Sequence, residues 1–200
     1  RAYTFTLPEG QRAVGALNVV VSLDYNGQLA ESTETNNSAS VVLDVAKKKY
    51  ADLLPVSLDA PTSARGGDTV TLRWTVTNQG DAPTGTQWTD RIVLSADSVY
   101  GNADDVVLVT APHFGALAPG ESYTQERQVV LPQRVDGAYK LFLRTDVNAE
   151  VLEPDTRSNN LLSPKVINIA APHADLVVEA VSAPTAAQSG DSVKVSWRVR

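Results

Sequence analysis

Between Thr69 and Thr77 the chain alternates strictly. Val70, Leu72, Trp74 and Val76 are apolar, and Thr69, Thr71, Arg73, Thr75 and Thr77 between them are polar. A period of two places the apolar set on one face of a strand and leaves β-branched threonine on the wet face. Tyr139, Leu141 and Leu143 alternate in the same way after the turn residues Asp136-Gly137. Further short segments at 52–58, 90–95, 105–110, 121–131 and 161–169 are separated by Pro, Gly, Asn and Asp. No stretch carries the 3.6-residue period of a helix. Seven short antiparallel strands in about 120 residues predict an all-β, immunoglobulin-like or fibronectin-III-like two-sheet sandwich. Tyr139 stands where such sandwiches place a corner tyrosine.

The pattern recurs. Ala51 to Thr77 and Ala174 to Arg200, offset by 123, agree at 12 of 27 positions without a gap. The matches include Asp52/Asp175, Pro61/Pro184, Gly67/Gly190, Asp68/Asp191 and Trp74/Trp197. Gly15 to Asp24 aligns with Gly137 to Asp146 at an offset of 122, although Leu17 replaces the tyrosine. An acidic loop ending in Asn-Asn follows each, at 36–37 and at 159–160. Tandem modules are therefore expected: the C-terminal half of one over 1–46, a complete one over 47–170, and the start of a third over 171–200. The joints, Lys47-Lys48-Lys49 and Ala171-Pro172-His173, are short and imply limited freedom between neighbours. The lysine run also discourages edge-to-edge pairing of adjacent strands.

Composition narrows the function. The net charge is −6, against 17 basic and 23 acidic residues, which argues against a nucleic-acid binder. With 42% hydrophobic residues the chain has enough apolar surface for a packed core, and with no cysteine it has neither disulfides nor thiol chemistry. Methionine is absent, position 1 included, as expected of a segment of a longer chain. The longest uncharged run, Val106 to Gly120, has 15 residues interrupted by Pro and Gly, so membrane insertion as a helix is not expected.

The residues also carry a resemblance. ADLLPVSLDAPTSARGGDTVTLRWTVTNQGDAP, WTDRIVLSADSVYGNADDVVL, GALAPGESYTQERQVVLP and GAYKLFLRTDVNAEVLEPDTRSNN follow one another over 51–169. In that order they resemble the CARDB family, a cell-adhesion-related domain found in bacteria. The resemblance implies an immunoglobulin-like sandwich, usually in tandem, in large secreted or surface-exposed bacterial proteins, and no enzyme activity.

Catalytic motifs are missing. The two histidines, His113 and His173, lie 60 positions apart, and neither a zinc-binding HExxH, a Gly-x-Ser-x-Gly elbow nor a phosphate-binding GxxxxGK is present. Both histidines read as loop residues beside Pro or Gly. The acidic loops remain. Asp146, Asn148, Glu153 and Asp155 in one, with Asp24, Asn26 and Glu31 in its counterpart, offer alternating oxygens of the kind calcium takes. The same Asp and Asn residues are suited to capping turns, the reading that takes precedence, and Asn26-Gly27 is a hairpin dipeptide. A second acidic loop, Asp97 to Asp105, reads as a solvated connection able to carry adhesive contacts. Trp74 and Trp197 read as core anchors, whereas Trp88, beside a loop, suits the rim or a ligand.

The functional expectation is a non-catalytic adhesion or spacer segment at the bacterial surface or in the secreted medium. Its partners would be neighbouring modules and extracellular protein or glycan. The alternatives are an accessory region of a secreted hydrolase, or a module that binds glycan or protein directly; the small supply of aromatic residues argues against the latter.

Overall fold

A computed structural model describes residues 2–33, 35–172 and 176–200. Arg1, Glu34, His173, Ala174 and Asp175 lie outside the described residues, and with them the reading of His173 as a joint residue and the Asp52/Asp175 match. Strands β1 (Gly15–Ser22) and β2 (Ser38–Val45) form an antiparallel pair. They are followed by β3 (Leu53–Asp59), β4 (Ser63–Arg65), β5 (Thr69–Asn78), β6 (Gln87–Ser95), β7 (Val106–Phe114), β8 (Ser122–Val130), β9 (Gly137–Arg144) and β10 (Lys165–Ala170). A last pair is β11 (Val178–Ser182) with β12 (Ser196–Val199).

The middle strands make the expected sandwich. One sheet has the order β3-β5-β8 and the other β4-β10-β9-β6-β7. The alternation over 69–77 is what β5 shows: Val70, Leu72, Trp74 and Val76 are buried and face the second sheet. They meet Ile92, Leu94, Leu141, Leu143, Ile167 and Ile169 in a single core. Tyr139 is half-buried against it.

Proline explains where strand boundaries differ from the sequence reading. Pro112 lies inside β7 because β7 is an edge strand, where a missing N–H costs no ladder bond. The segment from 161 begins only at Lys165, after Pro164; ahead of it Arg157–Asn160 form a short 3-10 turn. The three-residue β4, which pairs in parallel with β10, is too short to alternate visibly in sequence.

The chain runs through this sandwich from end to end. Tyr50 C=O accepts the N–H groups of Asp81 and Ala82, just past the C-terminal end of β5. Gly80 lets this approach happen, because a Cβ there would collide with the Tyr50 and Ala51 backbone. Ala170 C=O instead accepts the N–H of Gly66, just before β5 begins. The N- and C-terminal connections therefore attach at opposite poles, separated by the length of β5, about 30 Å.

Candidate functional site

The most unusual chemistry is inside the sandwich. Residues 88, 90, 92 and 94 of β6 point inward, so the chain buries Asp90 completely beside Trp88, Ile92 and Leu94. Its carboxylate accepts the Trp74 indole N–H at 2.8 Å, the Tyr123 hydroxyl at 2.5 Å and the Thr145 hydroxyl at 2.7 Å. Tyr123 Oη in turn accepts the Trp88 indole N–H at 3.1 Å. Trp74 and Tyr123 belong to one sheet and Asp90 to the other, so a single carboxylate ties the two layers together. Burial pushes the Asp90 carboxyl above its ordinary value, against the lowering effect of those three donors. Burial, reinforced by the charge of Asp90, also drives the Tyr123 hydroxyl strongly upward.

His113 and Trp88 depart from the sequence reading. His113 is in β7, not a loop; its ring stacks on Trp88 with centroids 4.2 Å apart and lies tilted against Tyr123 with centroids 3.9 Å apart. Burial holds His113 below the ordinary imidazole value, against the pull of Asp90. Trp88 is fully buried, so it serves the core. Sequence reasoning missed Asp90, Tyr123 and Thr145 as a unit. The visible signal was one acid at an inward position of an otherwise apolar alternation.

The loop after β9 holds most of the predicted ligating residues. Asp146 is fully buried with a positive φ of 44°, and its carboxylate accepts the N–H groups of Glu150 at 2.7 Å and Val151 at 3.2 Å. Arg157 pairs with the same carboxylate at 3.3 Å and donates to the Asp146 carbonyl at 2.9 Å. Burial raises the Asp146 carboxyl in spite of these donors. Asp24 repeats the motif: φ is 40°, and its carboxylate accepts the N–H groups of Gln28 and Leu29, also four and five residues ahead. Both aspartates cap their turns.

The other predicted residues are scattered. Glu153 is buried and accepts the Leu53 N–H and the Asn160 side-chain amide, while burial raises its carboxyl. Asp155 faces away and accepts the N–H of Gln11. Asn26, Glu31 and Asn148 are exposed. Among the described residues no group of three or more His, Asp or Glu side chains is placed to hold a metal ion. A calcium ion would have to displace backbone N–H groups from Asp146 and Asp24. Calcium titration of the chain is therefore expected to leave the unfolding midpoint unchanged with or without chelator. A saturable, chelator-reversible rise would give these loops a metal-binding role in addition to capping.

The second acidic loop is ordered by its own residues. Asp97 accepts the Val99 N–H, Asp104 accepts the Ala96 N–H and the Ser95 hydroxyl, and Asp105 accepts the Gly101 N–H. Hydrogen bonds from Ala96 and Ser95 keep the Asp104 carboxyl below its usual range despite some desolvation. Tyr100 folds onto the outer sheet face against Phe142, and Arg144 lies over its ring at 5.7 Å.

Residues 50–163 match the family model of CARDB. The chain belongs to the CARDB family. CARDB is an adhesion-related bacterial module, and its family is non-catalytic. No curated protein matches the chain. Among solved structures, the chain is similar to the CARDB domain of a Pyrococcus furiosus protein in complex with di-metal ions. That likeness has 15% identity and a TM-score of 0.46, covering 60% of this chain and 90% of that one. The same domain in solution gives 14% identity and a TM-score of 0.47, covering 62% and 100%. A β-glucosidase 3B from Thermotoga neapolitana in complex with α-D-glucose gives 12% identity and a TM-score of 0.42. There the match covers 60% of this chain and 16% of the glucosidase. No helix among the described residues of this CARDB chain is long and apolar enough to cross a membrane.

Proposed function

We propose that this chain is a non-catalytic spacer segment of a large bacterial surface or secreted protein, built from CARDB modules in tandem over 1–46, 47–170 and 171–200. The observation that carries the reading is the attachment of the N- and C-terminal connections at opposite poles of the sandwich. A module threaded in this way advances the chain by the length of its longest strand, so successive modules extend rather than double back. The chemistry of the middle module supports the same reading. Its buried carboxylates are spent on indole, hydroxyl, amide, guanidinium and backbone donors, and both of its tryptophans are fully buried, whereas Trp197 of the third unit, expected to be a core anchor, is exposed in this chain.

These 200 residues contain no cysteine, so one introduced thiol, read against the unsubstituted parent protein, provides a direct test. Gln128, exposed on β8, accepts a single Gln128→Cys substitution without touching the core. In cells producing the parent protein, a membrane-impermeant maleimide is expected to label this thiol on intact cells or in the medium. Labelling that requires lysis overturns the surface reading.

A further inference from the structure

We infer that the N-terminal pole of the middle module is a docking face for the loop Leu7–Ala13 of the preceding unit, so that this joint is a fixed latch and not a free linker. The inference deepens the spacer reading by assigning residues to its stiffness. Three contacts converge at this pole. Both carboxylate oxygens of Asp155, from the middle module, accept the N–H of Gln11, at 3.0 and 2.9 Å. The Tyr50 hydroxyl accepts the N–H of Gly10 at 3.0 Å and donates to the carboxylate of Glu9. Lys48 closes the set with an ion pair to Glu9 at 3.3 Å. The hydrogen bond from Tyr50, then Lys48, holds the Glu9 carboxyl below its usual value, and the same bond raises the Tyr50 hydroxyl.

The fit is shaped as well as polar. Gly10 is buried with φ at 79°, and a Cβ there would stand 2.5 Å from Asp155 Oδ1 and 2.9 Å from Pro154 Cβ. Only glycine permits that backbone conformation at that distance. The Lys48–Glu9 pair is largely exposed and adds little by itself. The backbone N–H groups held by Asp155 and Tyr50 are directional, and they fix orientation.

The latch is written into one joint. Leu7 to Gly15 has nine residues where the corresponding Leu131 to Gly137 has seven. With Leu-Pro aligned at the start and Gly at the end, the two extra residues fall beside Glu9-Gly10, the pair that engages Tyr50. In the shorter loop Asp136 instead accepts the N–H of Ala171, holding the outgoing connection. The sequence also places His173 at the register of Tyr50. The second joint thus lacks, in sequence, the Glu-Gly pair and the tyrosine of the first, and the stiff connection is assigned to the first.

Residual dipolar couplings on the full chain test this. In the unaltered protein, couplings from β1–β2 and from β3–β10 are expected to fit one alignment tensor. In Asp155→Ala and, separately, Gly10→Ala, those of β1–β2 are expected to need a second, smaller tensor while the sandwich keeps its own. Exchange of the Gln11 amide is expected to accelerate about fivefold in Asp155→Ala, the effect of losing a capping carboxylate. Two tensors in the unaltered chain, or one tensor retained in both variants, would overturn the latch. Neither outcome bears on surface labelling, so the spacer reading stands or falls separately.

Discussion

Replacing Asp90 with alanine is expected to lower the unfolding free energy by about 3–5 kcal/mol, because three buried donors lose their one charged acceptor. Asp90 is fully buried, and its loss strands the Trp74 indole, the Tyr123 hydroxyl and the Thr145 hydroxyl between two apolar sheet faces. Urea denaturation followed by tryptophan fluorescence measures the change, with an unaltered m-value showing that the folded state is still compact. Asp90→Asn preserves the shape and one acceptor oxygen, so it is expected to cost less than alanine. A loss under about 1 kcal/mol for Asp90→Ala would mean that the network adds no more than an ordinary hydrogen bond.

The same residue sets a pH dependence. Burial raises the Asp90 carboxyl in the folded state above its ordinary 3.8, so the folded chain takes up that proton more readily than the unfolded chain. The group therefore adds stability as pH falls through its folded value towards 3.8, and carries its full desolvation cost at neutral pH. Glu153, raised chiefly by burial, acts in the same direction. Asp90→Asn is expected to flatten this part of the stability curve on the acid side of neutrality. An unchanged curve would show that Asp90 does not titrate differently in the two states.

Glu153→Ala is expected to cost about 3 kcal/mol, since the buried N–H of Leu53 and the Asn160 amide both lose a charged acceptor. Leu53 begins β3, an edge strand, and Glu153 pins that start to the loop after β9 across 100 residues of sequence. Loss of the bond frees both the strand end and the turn that holds Asp146. Glu153→Gln, which retains an acceptor oxygen, is expected to recover more than half of the loss. Equal losses for Ala and Gln would place the effect in the carboxylate charge instead of in the hydrogen bonds.

The acidic loops show why local sequence leaves a site undecided. Asp24 and Asp146 have the oxygens that either a turn cap or a calcium ion needs. Their positive φ angles and the N–H groups four and five residues ahead are what make them caps. Asp155, grouped with them by sequence, turns to the loop before β1 and reaches Gln11. Adjacent residues of one loop thus face different surroundings, and composition alone cannot separate them.

The strands and their inward faces were legible without a structure, because alternation is a local property and burial follows it directly. Val70, Leu72, Trp74 and Val76 are buried as their period requires. The family was legible for a related reason, since its motifs are short and occur in order along 50–163. Partnership was not legible. Asp90 finds its donors 16, 33 and 55 residues away, on β5, on β8 and just past β9. Glu153 reaches back 100 residues and Asp155 reaches back 144. Periodicity says which way a side chain points, but what it meets depends on how the two sheets stack and where the loops close over their ends. That is why the sequence alone determined the sandwich, and only the tertiary structure decided which donors its buried acids meet.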